Sequence, residues 1–284
     1  MPELPEVEIL VRHLSPRLKM KTIRRVEVRR AKVLLPTTTR QFRNALSGAR
    51  FIGVTRRGKY LLFELRRPGK RGRLTLVGHL GMTGRIYLQR QNGTLPRHAA
   101  VIFNFGKVNL IYEDTRYFGR MTLDTSALTR LGPEPLSTDF TVADFALALK
   151  RSAQVIKVKL LDQSLVAGVG NIYASESLFR AGVSPRLAAR RLTRKQVGRL
   201  WQAVRLVLTE AIDNGSTIPL DWAGRDKRKA LFYYGQTTDT PGFYEERLLV
   251  YDRAGKPCSH CGTPIKRVVQ AARSTFYCPC CQRS

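Results

Sequence analysis

The sequence predicts an α+β chain: an antiparallel β-sandwich with flanking helices, then a helical domain, then a small metal-stabilised β-hairpin module. Three observations carry that expectation. Short alternating or β-branched runs recur through the first 131 residues, helical spacing takes over beyond Pro135, and all five cysteines follow Pro257. Regularly spaced period-two runs mark antiparallel sheets, and a change of period at a Gly/Pro break marks a domain boundary.

In chain order, Pro5 suits the first turn of a helix, and Val7, Leu10, Val11, Leu14 and Leu18 follow on one helical face. Strands are expected over Ile23–Val28, Phe51–Arg56, Tyr60–Leu65, Leu74–Leu80, Ala100–Phe105 and Val108–Tyr112. The run Leu131-Gly132-Pro133-Glu134-Pro135 interrupts this pattern. Helices are expected over Thr141–Lys150, Gln154–Asp162, Asn171–Ala181 and Thr193–Asp213, with Thr141 and Thr193 as N-caps. Ser216–Gly242 is rich in glycine and aromatics, is basic over Arg225–Lys229, and reads as a long loop. A strand pair, Arg247–Tyr251 with the stretch around Phe276, is expected to flank the cysteines. The resulting division is 1–131 for the sandwich, 132–246 for the helical domain and 247–284 for the cysteine module.

The chain carries 50 Lys and Arg against 21 Asp and Glu, a net charge of +29. Up to Leu131 there are 27 basic and 8 acidic residues, and 23 and 13 beyond it, so the charge is not confined to a tail. An imbalance of this size concerns partners rather than fold, and points to a polyanion such as nucleic acid. No stretch reads as a membrane span or as the apolar core of a signal peptide, so a cytoplasmic, nucleoid-associated protein is expected.

Cys258-x2-Cys261 and Cys278-x2-Cys281 are two close pairs sixteen residues apart. Each pair can present both thiolates from one tight turn, and two such turns close a tetrahedron around zinc. Cys280 leaves an alternative ligand open, but the x2 spacing favours Cys281, and His260 is not expected to ligate. So small a module has almost no core of its own, and metal binding of about 10–16 kcal/mol would supply its folding free energy. One structural Zn2+ is therefore expected, with no open coordination position. Arg267 and Arg273 lie between the pairs, where they can reach phosphates.

The first eight residues, MPELPEVE, carry the chemistry. If Met1 is removed, Pro2 presents a secondary amine, and an α-amino group deprotonates near neutral pH far more readily than a lysine. Such an amine can attack an electrophilic carbon and form an iminium. Glu3 and Glu6 lie within one helical turn of it.

With these signals in view, the chain resembles the bacterial formamidopyrimidine-DNA glycosylase family, which is related to endonuclease VIII. The resemblance runs nearly end to end. It is carried by Pro2–Glu8, by Val166-Ala-Gly-Val-Gly-Asn-Ile-Tyr-Ala174, which resembles the family's helix–two-turns–helix, and by Thr275-Phe-Tyr-Cys-Pro-Cys-Cys281, which resembles its zinc finger. It implies a bifunctional glycosylase and AP lyase that excises oxidised purines through an N-terminal proline Schiff base and nicks the strand by β,δ-elimination. Pro2 matches the nucleophile that attacks C1′. Glu3 matches the acid that protonates the sugar oxygen, and Glu6 the second carboxylate. Lys59, in Arg57-Gly-Lys-Tyr60, matches a lysine that holds phosphate and assists elimination, and Arg273 the finger arginine that grips phosphates. His79, His98, Arg151, Lys157 and Asn171 match positions that hold DNA. Met82, Arg116 and Phe118 match residues that fill the hole left by the extruded nucleotide.

Two departures stand out. Tyr117 occupies a position where many members carry a second basic residue. The segment Ser216–Gly242, which in relatives covers the extruded base, looks longer than usual and holds Arg225-Asp-Lys-Arg-Lys229. The expected partner is double-stranded DNA containing a damaged base, bound by a monomer. Two rival readings are an endonuclease VIII-type enzyme for oxidised pyrimidines, against which Leu4 argues, and a non-catalytic zinc-finger DNA-binding protein.

Overall fold

The six expected runs fold as strands, and two further strands that were not expected, over 84–90 and 120–122, bring the antiparallel strands that share one core to eight. One sheet contains β2 (Arg50–Arg57), β3 (Tyr60–Arg66), β4 (Leu74–His79) and β8 (Arg120–Thr122), in the order β2-β3-β4-β8. The other contains β1 (Arg25–Val28), β5 (Gly84–Arg90), β6 (Ala99–Asn104) and β7 (Val108–Asp114), in the order β1-β6-β7-β5. Along β3 the alternation is visible residue by residue: Leu61, Phe63 and Leu65 are buried while Leu62 and Glu64 are partly exposed. Phe51, Phe63, Phe103 and Tyr112 fill the core together with Val7, Leu10, Leu14 and Leu18 from one face of α1 (Leu4–Leu18). A short helix α2 (Thr39–Leu46), not anticipated above, begins with a capping box in which Thr38 and Gln41 exchange side-chain and backbone hydrogen bonds.

This computed structural model describes residues 2–69, 71–215, 220–223, 231–234 and 248–283. The chain falls into two units. One comprises Met1–Pro2, Glu6–Thr129 and Gly215–Gly242, the other Glu3–Pro5, Arg130–Asn214 and Phe243–Ser284. Within the stretch expected as a loop, β9 (Leu220–Ala223) pairs antiparallel with β10 (Leu231–Tyr234). The remainder of Ser216–Gly242, including Arg225–Lys229, lies outside the described residues.

The second unit is built on α3 (Val142–Lys150), α4 (Ile156–Leu160), α5 (Asn171–Arg180) and α6 (Arg194–Asp213). Both expected N-caps are present: Thr141 accepts from the Asp144 N–H, and Thr193 forms a capping box with Gln196. α4 is shorter than the expected Gln154–Asp162. Val155 forms a β-bridge with Ala188, and Ile156 donates to the Leu187 carbonyl at 2.7 Å, so the helix cannot start earlier. At its end the Asp162 carboxylate accepts from the Ser164 N–H, turning the chain. Phe140, Leu149, Leu160, Tyr173, Leu178, Leu200, Val204 and Leu208 form the core, which also takes in Leu4.

The cysteine module is the hairpin β11 (Lys266–Gln270) and β12 (Arg273–Tyr277) with its flanking knuckles. Here one expectation is corrected: within Arg247–Tyr251, the described residues Leu248–Tyr251 are not a strand. The N–H groups of Leu249, Val250 and Tyr251 donate to the carboxylate of Glu176 on α5, at 3.0, 3.0 and 2.8 Å, and a strand partner is thereby replaced by one side chain. Glu176 is 2 % exposed, and burial pushes its carboxyl up against the opposing pull of those three donors and of Arg180.

Truncating Glu176 to Ala leaves three backbone donors without an acceptor, and should cost on the order of 3 kcal/mol of unfolding free energy in urea titration. Glu176→Gln, which keeps one carbonyl oxygen, should lose less; equal stability of wild type and the alanine variant would contradict this role.

Candidate active site

In the first unit, Pro2 and Glu6 are buried, Glu6 fully and within the first turn of α1. The two-residue turn Gly58-Lys59 joins β2 to β3, with Arg57 paired to Tyr60. Gly58 has φ +55, the conformation that the first position of a type II′ hairpin turn requires. Arg56 steadies the turn by donating to the Gly58 carbonyl at 3.1 Å and to Glu8 at 3.0 Å. Burial works to raise the Glu8 carboxyl, but hydrogen bonds from Arg56 and Arg12 hold it below its ordinary value. Lys59 is only 7 % exposed.

His79 pairs across the ladder with Tyr60, their ring centroids 4.7 Å apart, and its Nδ1 accepts from the Gly81 N–H at 3.2 Å. Burial, with the nearby charges of Lys59 and Arg120, pushes its pKa down to about 4. The neutral ring with its proton on Nε2 therefore suits the observed acceptor role.

Met82, Arg116 and Phe118 are brought together. The Arg116 guanidinium lies 4.6 Å over the Phe118 ring, and its Nη1 is 3.6 Å from the Met82 sulfur. Met82 and Phe118 are half-exposed, which for such side chains marks a surface built to meet something. What holds them is Asp114, a residue that the sequence did not single out. Fully buried, it accepts from Thr83 Oγ1 at 2.6 Å, the Arg116 N–H at 3.1 Å, Tyr112 Oη at 3.3 Å and the Gly119 N–H at 2.8 Å. Burial and the Asp114 charge push the Tyr112 phenol up. Tyr117 turns back with φ +52, its hydroxyl accepting from Arg30 Nε at 3.1 Å and lying 3.4 Å from His98 Nδ1.

In the second unit, Glu3 sits on the N-terminus of α5. It is 2 % exposed, with Oε1 accepting from the Ile172 N–H at 2.9 Å and Oε2 from the Tyr173 N–H at 3.4 Å. Unpaired N–H groups and the helix dipole both favour a carboxylate there. The glycine-rich turn makes room for it. Gly168 has φ +90, and a Cβ there would come within 2.6 Å of Leu4; a Cβ on Gly170 would overlap the Glu3 carboxyl itself. Asn171 then links two elements, accepting from Lys157 Nζ at 2.6 Å and donating to the Ser274 carbonyl at 2.9 Å, one residue after Arg273. Lys157 is 1 % exposed; burial lowers its pKa to about 8, with Glu3 pulling it up and Arg273 pushing it down.

Tyr251 joins this cluster through Asn171 and feels the charge of Glu3, while burial raises its phenol. Nothing in the sequence distinguishes this tyrosine. Arg151 forms the exposed C-cap of α3, and among the described residues no hydrogen bond joins it to Lys157 or Asn171. Arg273 is exposed at the start of β12.

The Sγ atoms of Cys258, Cys261, Cys278 and Cys281 all lie within 4.8 Å of one another. Backbone N–H groups of His260 and Cys281 donate to Cys258 and Cys278, each at 3.4 Å, as suits thiolates. Cys280 stands outside the group, and the His260 ring packs on Phe179 at 4.9 Å. The donor set is all sulfur and complete at four, which fits one structural zinc and leaves no position for substrate.

Family models match residues 1–121 as the formamidopyrimidine-DNA glycosylase N-terminal domain, 131–221 as its H2TH domain, and 255–283 as the zinc finger found in FPG and IleRS. The chain belongs to the formamidopyrimidine-DNA glycosylase family. Members so named from Listeria innocua and Heliobacterium modesticaldum are 38% and 42% identical, each match covering 100% of both chains. Among solved structures, a Lactococcus lactis FPG variant in complex with Fapy-dG-containing DNA is similar, with a TM-score of 0.86, 32% identity and 100% of both chains covered. The L. lactis Fpg in complex with DNA containing an abasic site gives a TM-score of 0.84 at 31% identity, over 99% of this chain and 100% of that one. As in this family of DNA-repair glycosylases, the finger of the present chain carries a four-cysteine site for zinc. Among the described residues no helix is long and apolar enough to cross a membrane.

Two outcomes test this geometry. Because the folded pKa of His79 lies below its ordinary 6.5, the unfolded chain takes up the proton first on acidification. Its stabilising contribution is thus complete above pH 6.5 and lost as the pH falls towards 4; His79→Gln should lose less stability across that window, by up to about 3 kcal/mol in urea titrations. Removing zinc with a chelator should abolish hydrogen-exchange protection of β11 and β12 while β2–β7 stay protected. Retained protection in the hairpin after proven metal loss would refute a structural zinc.

Proposed function

We propose that this family member is a bifunctional DNA glycosylase and AP lyase of base-excision repair, acting on 8-oxoguanine and formamidopyrimidines in double-stranded DNA. The observation that carries the proposal is the proline at position 2 followed by two carboxylates, Glu3 and Glu6, each 2 % exposed or less. Removal of Met1 converts the Pro2 nitrogen from an inert amide into a secondary amine. Its lone pair attacks C1′ of the damaged nucleotide, and the glycosidic bond breaks with its electrons leaving on the base. Glu3, a carboxylate at rest, takes up the proton that the Pro2 nitrogen releases on bonding to C1′ and passes it to the sugar ring oxygen as the ring opens, giving a C1′ iminium. Loss of a C2′ proton then expels the 3′ phosphate, and a second elimination expels the 5′ phosphate; Lys59 and Arg273 hold those phosphates.

Extruding a nucleotide leaves a hole that costs a few kcal/mol of lost stacking. The half-exposed cluster of Met82, Arg116 and Phe118 suits that hole, with the Phe118 ring as wedge and the Arg116 guanidinium for the orphaned base. Lys157, Asn171, His79, His98 and Arg151 supply donors for flanking phosphates. The enzyme acts as a monomer in the bacterial cytoplasm, on the nucleoid.

Borohydride trapping on a duplex with one 8-oxoguanine should give a covalent protein–DNA adduct, and Pro2→Gly should reduce it at least tenfold. With Met1 removal confirmed by mass spectrometry, absence of any adduct refutes the Schiff-base mechanism. Faster excision of an oxidised pyrimidine than of 8-oxoguanine refutes the substrate class.

A further inference from the structure

Arg66 ends β3, and Arg67, Arg71 and Arg73 follow it before β4; the sequence adds Lys70 and places no acid from 66 to 73. Strand register sets Arg50 directly opposite Arg66 at the end of the β2–β3 ladder. Like charges facing each other across a ladder are destabilising. Arg50, Arg66, Arg67 and Arg71 together line an open concavity of about 430 Å³, with Pro68 and Gly69 completing its wall. Among the described residues no acid lines it. Glu64, two residues before Arg66 on β3, is engaged by Arg73 Nη1 at 3.3 Å. Among the described residues the Arg50 Nε donates to Thr22 Oγ1, at 3.4 Å. Among the described residues no ion pair involves Arg50, Arg66, Arg67 or Arg71, whereas Arg29 and Arg56 of the same unit are paired with Glu27 and Glu8.

Four guanidiniums that converge without a counter-charge form a site for an anion, and the planar fork of arginine matches phosphate oxygens in pairs. The site is separate from the lysine turn. β3 runs from Tyr60 to Arg66, so the concavity lies about 20 Å from Lys59, at the other end of the same strand. We infer that the concavity formed by Arg50, Arg66, Arg67 and Arg71 is a second phosphate-binding site, which takes the sugar-phosphate backbone of double-stranded DNA beyond the segment that holds the lesion. This rests on the glycosylase reading for its choice of DNA among phosphate sources. Such a contact carries no sequence information; it adds affinity for long duplexes and for undamaged DNA.

The test compares the full-length wild type with the triple variant Arg66→Gln/Arg67→Gln/Arg71→Gln, and with a control of equal charge loss, Arg40→Gln/Arg90→Gln/Lys107→Gln. Binding is measured against salt on an undamaged duplex of about 12 base pairs, roughly 40 Å long, and on one of about 40 base pairs. On the long duplex the turn variant should lose about 2–3 from the slope of log affinity against log salt, at about 0.9 per phosphate. On the short duplex its slope should match wild type, and the control should keep the wild-type slope on both. An unchanged slope for the turn variant on the long duplex overturns the proposal, as does an equal loss in the control. Calorimetry with inorganic pyrophosphate separates the other source of phosphate. Binding of pyrophosphate that the turn variant abolishes, with no slope difference on DNA, assigns the site to a free phosphoanion and overturns the DNA reading. Single-turnover excision on a short lesion duplex is run in parallel. Its absence in the wild type sinks the glycosylase reading while leaving the slope comparison to decide the arginine site.

Discussion

A carboxylate that is almost wholly withdrawn from water must find its donors in the protein, and Glu3 finds them in the N–H groups of Ile172 and Tyr173 at the start of α5. That single anchoring sets much of the second unit. It requires the absence of a side chain at Gly170, while Gly168, with φ +90, leaves room for the adjoining Leu4. It fixes the first turn of α5, whose first residue, Asn171, holds Lys157 on one side and the backbone beside Arg273 on the other. The residue that the proposed mechanism places beside the N-terminal amine is thus the same residue that anchors the start of α5 and, through Asn171, its link to the finger.

The same device recurs with other acids. Asp114 collects two backbone N–H groups and two hydroxyls to shape the loop of Arg116 and Phe118, and Glu176 collects three N–H groups to tie residues 249–251 to α5. Glu3, Asp114 and Glu176 are each 2 % exposed or less. These three acids are engaged by backbone and hydroxyl donors instead of by surface arginines, in a chain that sets 50 bases against 21 acids. The field of a +29 protein is therefore available to a polyanion, and its counterions are available for release on binding.

Local rules made much of this readable. Alternation located the six expected strands, Thr141 and Thr193 signalled their helices, and the x2 cysteine spacing picked the four residues that cluster. The capping box of Thr38 and Gln41 was also present as a local signal, though α2 was not read from it. What could not be read depends on partners distant in sequence. The run Leu248–Tyr251 has a strand's composition, but its donors go to a glutamate more than 70 residues earlier, so composition misled. The Gln154–Asp162 helix was overestimated for a similar reason, since Leu187 and Ala188 claim its first turn. Asp114 carries no local signal of its role, and only the folded loop gives it four donors.

The finger hairpin shows what such distant ties can sustain. Its turn, Ala271-Ala272, has φ +47 and +58, both in the left-handed region that a two-residue hairpin of this kind demands and that Asn-Gly adopts most readily. For alanine each such residue costs about 1–2 kcal/mol. Local preference would relax this turn, so its geometry must be imposed from either side. Gln270 donates to the Pro185 carbonyl at 3.2 Å before the turn, and Asn171 donates to the Ser274 carbonyl at 2.9 Å after it. Between those two fixed points lies Arg273. An exposed arginine has wide rotamer freedom, but Arg273 lies between the tie of the Gln270 side chain to Pro185 and that of the Ser274 carbonyl to Asn171, so the point from which its side chain springs is constrained. The strain lies at the turn, and the positional constraint falls on the residue that follows it.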